Sequence, residues 1–193
     1  MRIIAGKNRG TKLKAPAGNH TRPTSDRARE SLFNILAHNY SEDMLNADVL
    51  DVFAGSGALG LEALSRGAKS LTFVENNRAA IEAIKANIKA CHAEDITHIF
   101  TENALQLSRL MSPAHLIFMD PPYHQNLAST ALQVLRKNSA IADGALVVLE
   151  LGPGDALEIE SYFQLLDQRT WGKARVYFLR FSAAQRDVQC PIV

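Results

Sequence analysis

Residues 47–67 read as one unbroken strand, glycine loop and helix, and no other stretch restricts the fold so strongly. The apolar run from Ala47 to Phe53 passes straight into Ala54-Gly55-Ser56-Gly57-Ala58-Leu59-Gly60, and the helical pattern Leu61-Glu62-Ala63-Leu64-Ser65-Arg66 closes on Gly67. A strand that enters a helix through glycines is the opening unit of a parallel βαβ sheet. The spacing Gly55-x-Gly57-x-x-Gly60 has the form of a dinucleotide fingerprint. Glu75 ends the next apolar run, Leu71-Thr72-Phe73-Val74, near the place where an acid would grip ribose hydroxyls. Glycines can also do no more than permit a tight turn. Strand, loop, helix and acid in this order favour a nucleotide-like cofactor over that plainer role.

A second motif bears on which cofactor this is. Asp120-Pro121-Pro122-Tyr123 directly follows the apolar run Ala114-His115-Leu116-Ile117-Phe118-Met119. Two prolines in succession hold a stiff backbone that offers carbonyl acceptors and no N–H. Taken alone, four such residues are equally a strand-ending turn. Their chemistry also suits methylation of an exocyclic amine on a nucleobase. Such an amine is a poor nucleophile because its lone pair is delocalised into the ring. Asp120 and the Pro121 carbonyl could accept its two hydrogens while Tyr123 stacks on the base. Asp51, just ahead of the glycine loop, could meet a cationic amino group. Asp51 and the Asp-Pro-Pro-Tyr motif favour S-adenosylmethionine over a nicotinamide cofactor, because a dehydrogenase needs neither.

Apolar periodicity predicts strands near 48–53, 70–75, 96–101, 114–119 and 144–151, alternating with helices near 58–66, 77–92, 103–110 and 126–138. Right-handed crossovers would bring Asp51, Glu75, Asn103 and Asp120 to one sheet edge. Tyr162 to Leu166 and Ala174 to Phe181, around Trp171-Gly172-Lys173, read as an antiparallel hairpin. The expected fold class is therefore α/β, a class I S-adenosylmethionine-dependent methyltransferase with a seven-stranded, mostly parallel sheet closed by that hairpin. Ahead of it, Thr24 or Ser25 can cap a helix running to about Tyr40, with Ala28, Leu32, Ile35 and Leu36 on one face.

Charge divides the chain unevenly. Residues 1–29 carry Arg2, Lys7, Arg9, Lys12, Lys14, Arg22, Arg27 and Arg29 against Asp26 alone, a surplus of seven. The whole chain is at +1, so residues 30–193 stand at −6. A basic end on an acidic body suits contact with a phosphate backbone. Arg2 to Gly6 and Thr11 to Ala15 read as a short hairpin around Lys7-Asn8-Arg9-Gly10. The expected organisation is residues 1–40 as a basic, nucleic-acid-contacting hairpin and helix, 41–182 as the catalytic domain, and 183–193 as a tail. Cys91 and Cys190 stand far apart with no Cys/His cluster nearby, which argues against a disulfide framework or a metal site. His124 is the one histidine beside the Asp-Pro-Pro-Tyr motif. No apolar run approaches the roughly 20 residues of a membrane span. Met1 to Lys7 contains no signal-peptide core. A cytoplasmic, monomeric protein is the expectation.

Three segments together resemble the RsmD family: Arg22-Pro23-Thr24-Ser25-Asp26-Arg27-Ala28-Arg29-Glu30-Ser31-Leu32-Phe33-Asn34-Ile35-Leu36, Asp51 to Ala63, and Asp120 to Tyr123. The resemblance runs from Arg2 to about Phe181. Ala28 departs from it where a larger aliphatic is usual, and Asn103 stands where broader methyltransferase motifs carry Asp. It implies S-adenosylmethionine-dependent methylation of guanine N2 in 16S ribosomal RNA (the guanine 966 type) of the small ribosomal subunit, assembling or assembled, without a metal. Under that resemblance Asp51 and the Gly55-Ser56-Gly57 backbone hold the methionine side of the cofactor, Glu75 takes its ribose hydroxyls, and Phe53 and Ala104 also belong to the cofactor site. Asn76 and Asn103 frame the adenine. Asp120, Pro121, Pro122 and Tyr123 are catalytic, while Arg2, Lys7, Arg9, Lys12, Lys14, Arg22 and Arg27 meet the RNA. Beside a nicotinamide oxidoreductase, the third choice, two alternatives remain open from the residues. One is an adenine-N6 or cytosine-N4 methyltransferase of DNA, although no target-recognition insertion is evident; the other is a non-catalytic ribosome-assembly factor of the same fold.

Overall fold

Five apolar runs pair as parallel strands, and the two near the C-terminus close the sheet as an antiparallel hairpin, of which the later strand pairs antiparallel with the last parallel one. The computed structural model of the chain describes residues 1–17, 26–108, 110, 112–123 and 127–184; Arg22, Thr24, Ser25, His124 and 185–193 lie outside them. The strands are β1 (Asp48–Val52), β2 (Ser70–Val74), β3 (Thr97–Phe100), β4 (Ala114–Met119), β5 (Ile141–Leu151), β6 (Phe163–Trp171) and β7 (Ala174–Phe181). Their order across the sheet is β3-β2-β1-β4-β5-β7-β6. The order reverses between β1 and β4, which opens a crevice beyond their carboxyl ends.

Helices cover both faces, and strand alternation decides what each face buries. On one face, α1 (Asp26–Asn39), α2 (Ser41–Met44), α3 (Ala58–Ser65) and α4 (Arg78–Ala90) pack against Val49, Leu71, Phe73, Leu116, Phe118, Val148 and Phe178. On the other, α5 (Leu127–Lys137) and the segment around Ala104 and Leu107 pack against Leu50, Val52, Val74, Ile117, Met119 and Leu149. Helix α4 starts where the Asn77 carboxamide accepts the Ala79 and Ala80 N–H groups at 2.9 and 3.1 Å. No helix among the described residues is long and apolar enough to cross a membrane.

Several expectations need correction. The helix predicted over 103–110 is a single 3₁₀ turn, Ala104–Gln106. Asn103 caps it, its side chain accepting the Leu105 N–H, and the backbone is already extended at Leu107. Helix α1 buries Arg29 and Phe33 beside Leu32 and Leu36, whereas Ala28 and Ile35 remain partly exposed, so its inner face is rotated from the predicted one. The N-terminal hairpin carries one bridge, Arg2 to Lys12, in place of two regular strands. Its remaining order comes from Ile3 N–H to the Thr11 carbonyl and Gly10 N–H to the Ile3 carbonyl, both 2.9 Å.

The arm is fastened to α3 by a buried carboxylate. Glu62 is fully buried and accepts the Ile4 and Ala5 N–H groups at 2.7 and 3.0 Å, while Arg66 Nε donates to it at 2.7 Å. The fully buried Arg29 of α1 brings its Nε within 4.0 Å of Glu62, and its guanidinium also donates to the Arg2 carbonyl and Asp26. Ile3 and Leu13 then join the same apolar layer as α1 and α3. Removing one partner from such a set leaves charge and N–H groups buried without compensation. Glu62→Ala should lower stability by about 3–5 kcal/mol in urea unfolding; a loss below about 1 kcal/mol would mean that the arm is held by its apolar contacts alone.

Candidate active site

The sheet's switch point sets the glycine loop after β1 beside the motif after β4. Phe53 leaves β1 with a left-handed backbone (φ 59°), which is costly for an aromatic residue and recurs where a loop must be aimed. Gly57 also needs positive φ (73°), and a Cβ there would lie 2.8 Å from the Phe73 ring. Asp51 sits beneath the loop, 2% exposed, and accepts the Gly60 N–H at 2.9 Å. Burial pushes its carboxyl up to about 8; the Gly60 N–H counters this and Glu75 adds to it.

Five of the residues assigned to the cofactor line one small cleft at the carboxyl edge: Phe53, Glu75, Asn76, Asn103 and Ala104, together with Val74 and Glu102. Glu75 is already a hub, accepting Gly55 N–H at 2.9 Å, Asn76 N–H at 3.0 Å and Asn77 N–H at 2.8 Å. It thereby ties the glycine loop to the turn before α4. Asn103 accepts the Leu105 N–H at 2.9 Å. Glu102, which the sequence reading missed, accepts from the Ser108 backbone and hydroxyl at 2.7 and 2.8 Å. Those bonds hold its carboxyl below the ordinary range. A carboxylate, two carboxamides, an aromatic ring and a helix-opening glycine loop form a donor and acceptor set that fits a ribose diol, an adenine edge and a charged amino-acid end. A larger cavity, lined among others by Glu42, Asp43, His115 and Asp143, lies at the opposite, amino-terminal edge of the sheet, away from these groups.

Beside the cleft, Asp120 leaves β4 with its N–H 3.5 Å from the Val52 carbonyl. Part of its surface is open, yet its carboxyl group is enclosed by protein. That burial first, then Glu150 and Asp51, raises its pKa well above the ordinary carboxylate value. Pro121 is buried and Pro122 exposed. Tyr123 turns towards β5: its hydroxyl donates to Glu150 at 2.6 Å, and its ring lies so close to Gly152 that a Cβ there would come within 2.4 Å of it.

Of the basic residues, Arg2, Lys7, Arg9, Lys12, Lys14 and Arg27 are all exposed. Fully buried Asn87 connects this arm to the cofactor loop: it accepts the Lys14 N–H at 2.7 Å and donates to the Lys14 and Ser56 carbonyls at 2.9 and 2.8 Å. Sequence reasoning missed Asn87, Glu150 and Gly152. A polar residue among the inward apolar positions of α4 was the available sign for Asn87.

Asp51 makes stability depend on pH. Its folded pKa lies above the unfolded one, so the folded state holds the extra proton. Stability is therefore lost as pH rises from about 4 to about 8, by up to about 1.4 kcal/mol per pH unit. Asp51→Asn can keep an acceptor for Gly60 without the charge. Between pH 6 and pH 8 this variant should lose less stability in urea unfolding than the parent; parallel losses would mean that Asp51 is ionised across that range.

Comparison with known proteins places this geometry in a family. A family model described as Conserved hypothetical protein 95 matches residues 1–180. The Ribosomal RNA small subunit methyltransferase D of Escherichia coli strain K12 is 40% identical over 151 residues, 78% of this chain and 74% of that one. The protein of the same name from Haemophilus influenzae is 36% identical over 176 residues, 89% of each chain. Among solved structures, a putative methyltransferase yhhF from Escherichia coli superposes with a TM-score of 0.83 at 35% identity, over 95% of this chain and 99% of that chain. The likeness in fold alone extends to an RNA methyltransferase from Salinibacter ruber in complex with S-adenosyl-L-homocysteine, with a TM-score of 0.64 at 11% identity over 86% of this chain. Strand order and superposition together give the class I methyltransferase fold, and the chain belongs to the Conserved hypothetical protein 95 family, which is the RsmD family its three segments resemble.

Proposed function

We propose that this protein is a cytoplasmic methyltransferase that uses S-adenosylmethionine to methylate the N2 amine of a guanine in 16S ribosomal RNA, within the small ribosomal subunit. The observation that carries the reading is the pairing, across one switch point, of the cleft around Phe53, Glu75, Asn76, Asn103 and Ala104 with the acceptor-rich Asp120-Pro121-Pro122-Tyr123 turn. The names of the relatives that cover most of this chain support the ribosomal RNA target.

When bound, S-adenosylmethionine supplies a methyl group already activated on a sulfonium, and no metal is required. The chain's own task is alignment. Glu75 offers acceptors to ribose hydroxyls, Asn76 and Asn103 bracket the adenine edge, and Gly55-Ser56-Gly57 leaves room for the methionine end. Asp120 and the Pro121 carbonyl each accept one hydrogen of the amine, which fixes the nitrogen so that its lone pair faces the methyl group. Tyr123 holds the plane of a base that has left its stack. Positioning of this kind can lower a barrier by roughly 7–11 kcal/mol. The exposed cations of the arm and Arg27 would carry the phosphate contacts.

The reading is tested by transfer of labelled methyl from S-adenosylmethionine to unmodified small subunits, naked 16S RNA and unmethylated DNA in parallel, with nucleoside analysis. N2-methylguanosine in the ribosomal samples is expected. Label in methyladenine or methylcytosine of DNA would overturn the target, and bound cofactor without transfer would leave a ribosome-assembly factor. Asp120→Ala should cut transfer by at least about 10²-fold with cofactor affinity largely kept; an active variant removes Asp120 from the mechanism. Reversing the charges of Lys7, Arg9, Lys12 and Lys14 should weaken RNA binding and make the dependence of log K on log salt shallower by about 3. An unchanged slope would give the arm a structural role alone.

A further inference from the structure

We propose that Glu150 selects guanine, its carboxylate accepting the ring N1–H of a base whose N2 amine is held by Asp120. The inference rests on the guanine-N2 reading above and adds to it the group that tells guanine from other bases. Met119 pairs with Leu149 across β4 and β5, so the next residues, Asp120 and Glu150, leave neighbouring parallel strands side by side. Strand neighbours lie about 4.8 Å apart. Alternation turns both side chains to the face that carries Phe118 and Val148, two residues earlier on each strand, and away from Met119 and Leu149. The electrostatic influence of Glu150 on Asp120 is consistent with this proximity.

Glu150 is also held in place. Tyr123 donates its hydroxyl to Oε1 at 2.6 Å, and the Tyr123 ring rests on the Gly152 backbone, whose N–H donates to Asp155 at 3.0 Å. A carboxylate offers about four acceptor sites, and the Tyr123 hydroxyl uses one. The stacking residue and the second carboxylate are thus fixed to each other on β5.

With both ionised, the two carboxylates side by side present acceptors only, and guanine is the base that answers them, its paired donors offsetting the burial and repulsion that disfavour the charged form of Asp120. Its Watson–Crick edge carries N1–H and N2–H donors next to each other. Beside the amines of adenine and cytosine stands a bare ring nitrogen, whose lone pair would face the Glu150 carboxylate. A partly buried acceptor left facing a lone pair, with water displaced by the base, is a means of rejection whose cost falls on the wrong substrate alone. Sites built to hydrogen-bond a donor reject an analogue lacking it by up to roughly 10⁴-fold.

The test compares small-subunit RNA containing guanine at the methylated position with RNA containing 2-aminopurine there. 2-Aminopurine keeps the amine and has a bare N1. Nucleoside analysis of the parent enzyme's product fixes that position first; if no N2-methylguanosine forms, the guanine reading and this inference fall together. With guanine as the confirmed substrate, the parent should favour guanine in kcat/KM by at least about 10²-fold. Glu150→Gln keeps a carbonyl for the Tyr123 hydroxyl and adds an N–H that suits the bare N1. It should lower transfer to guanine, raise transfer to 2-aminopurine, and narrow the preference at least tenfold. A variant slowed equally on both substrates, or not slowed at all, would overturn the selection by Glu150 and leave the guanine-N2 reading standing. Glu150→Ala gives a second check, since it should lose guanine activity without the gain on 2-aminopurine.

Discussion

One buried carboxylate, Glu62, fixes the frame on which the rest of the molecule depends. It sits on α3, the helix that the glycine loop opens, and it accepts two backbone N–H groups from the arm and the Arg66 guanidinium. Arg29 reaches the same place from α1. Arm, first helix and cofactor loop are therefore referenced to one helix. Asn87 repeats the connection from α4, joining Lys14 to Ser56 through three hydrogen bonds. The exposed cations on the arm are thus carried by a backbone bonded directly to the cofactor side of the site. For an enzyme that must bring a phosphate backbone and a reactive base into register, such coupling converts binding into alignment.

At the carboxyl edge the chemistry is of opposite sign. Asp51, Glu75, Asp120 and Glu150 all stand at or beyond the ends of β1, β2, β4 and β5, and burial with mutual repulsion raises the pKa of Asp51 and Asp120. Each has a different task in the proposed reaction. Asp51 holds the start of α3, Glu75 ties loop to turn while facing the cleft, and Asp120 and Glu150 offer acceptors to a donor-rich base edge. In the proposed reaction the basic arm would supply attraction to phosphate and the acidic edge discrimination, a division of roles that matches the separation of the two signs along the sequence.

Much of this was legible in the sequence because it rests on local patterns. The run from Ala47 to Gly67 dictated strand, loop and helix, and the strands at 48–52, 70–74 and 114–119 fall within a residue of their predicted bounds. The edge acids Asp51, Glu75 and Asp120 follow from the rule that strand ends carry function. Glu150 obeys the same rule but was hidden, since the apolar run 144–151 gave no sign of which residue would stand in register with Asp120. The arm misled for a related reason. Its β-capable residues do meet, but Glu62, 57 and 58 residues away, takes the N–H groups of Ile4 and Ala5 that a regular hairpin would use. The predicted helix at 103–110 failed because Asn103 favours a capped turn, and packing of Leu107 under α5 does not require further helix.

The proposed reaction requires the base to be held at the Asp120 turn. The most direct test is a crystal structure of this chain with S-adenosylhomocysteine and a short RNA carrying the methylated guanine. The expected result places guanine N2 within about 3 Å of both the Asp120 carboxylate and the Pro121 carbonyl. The base plane should lie on Tyr123 and the adenosine in the cleft of Phe53, Glu75 and Asn103. A guanine ordered elsewhere, or one whose amine faces solvent while the cofactor cleft is filled, would contradict it.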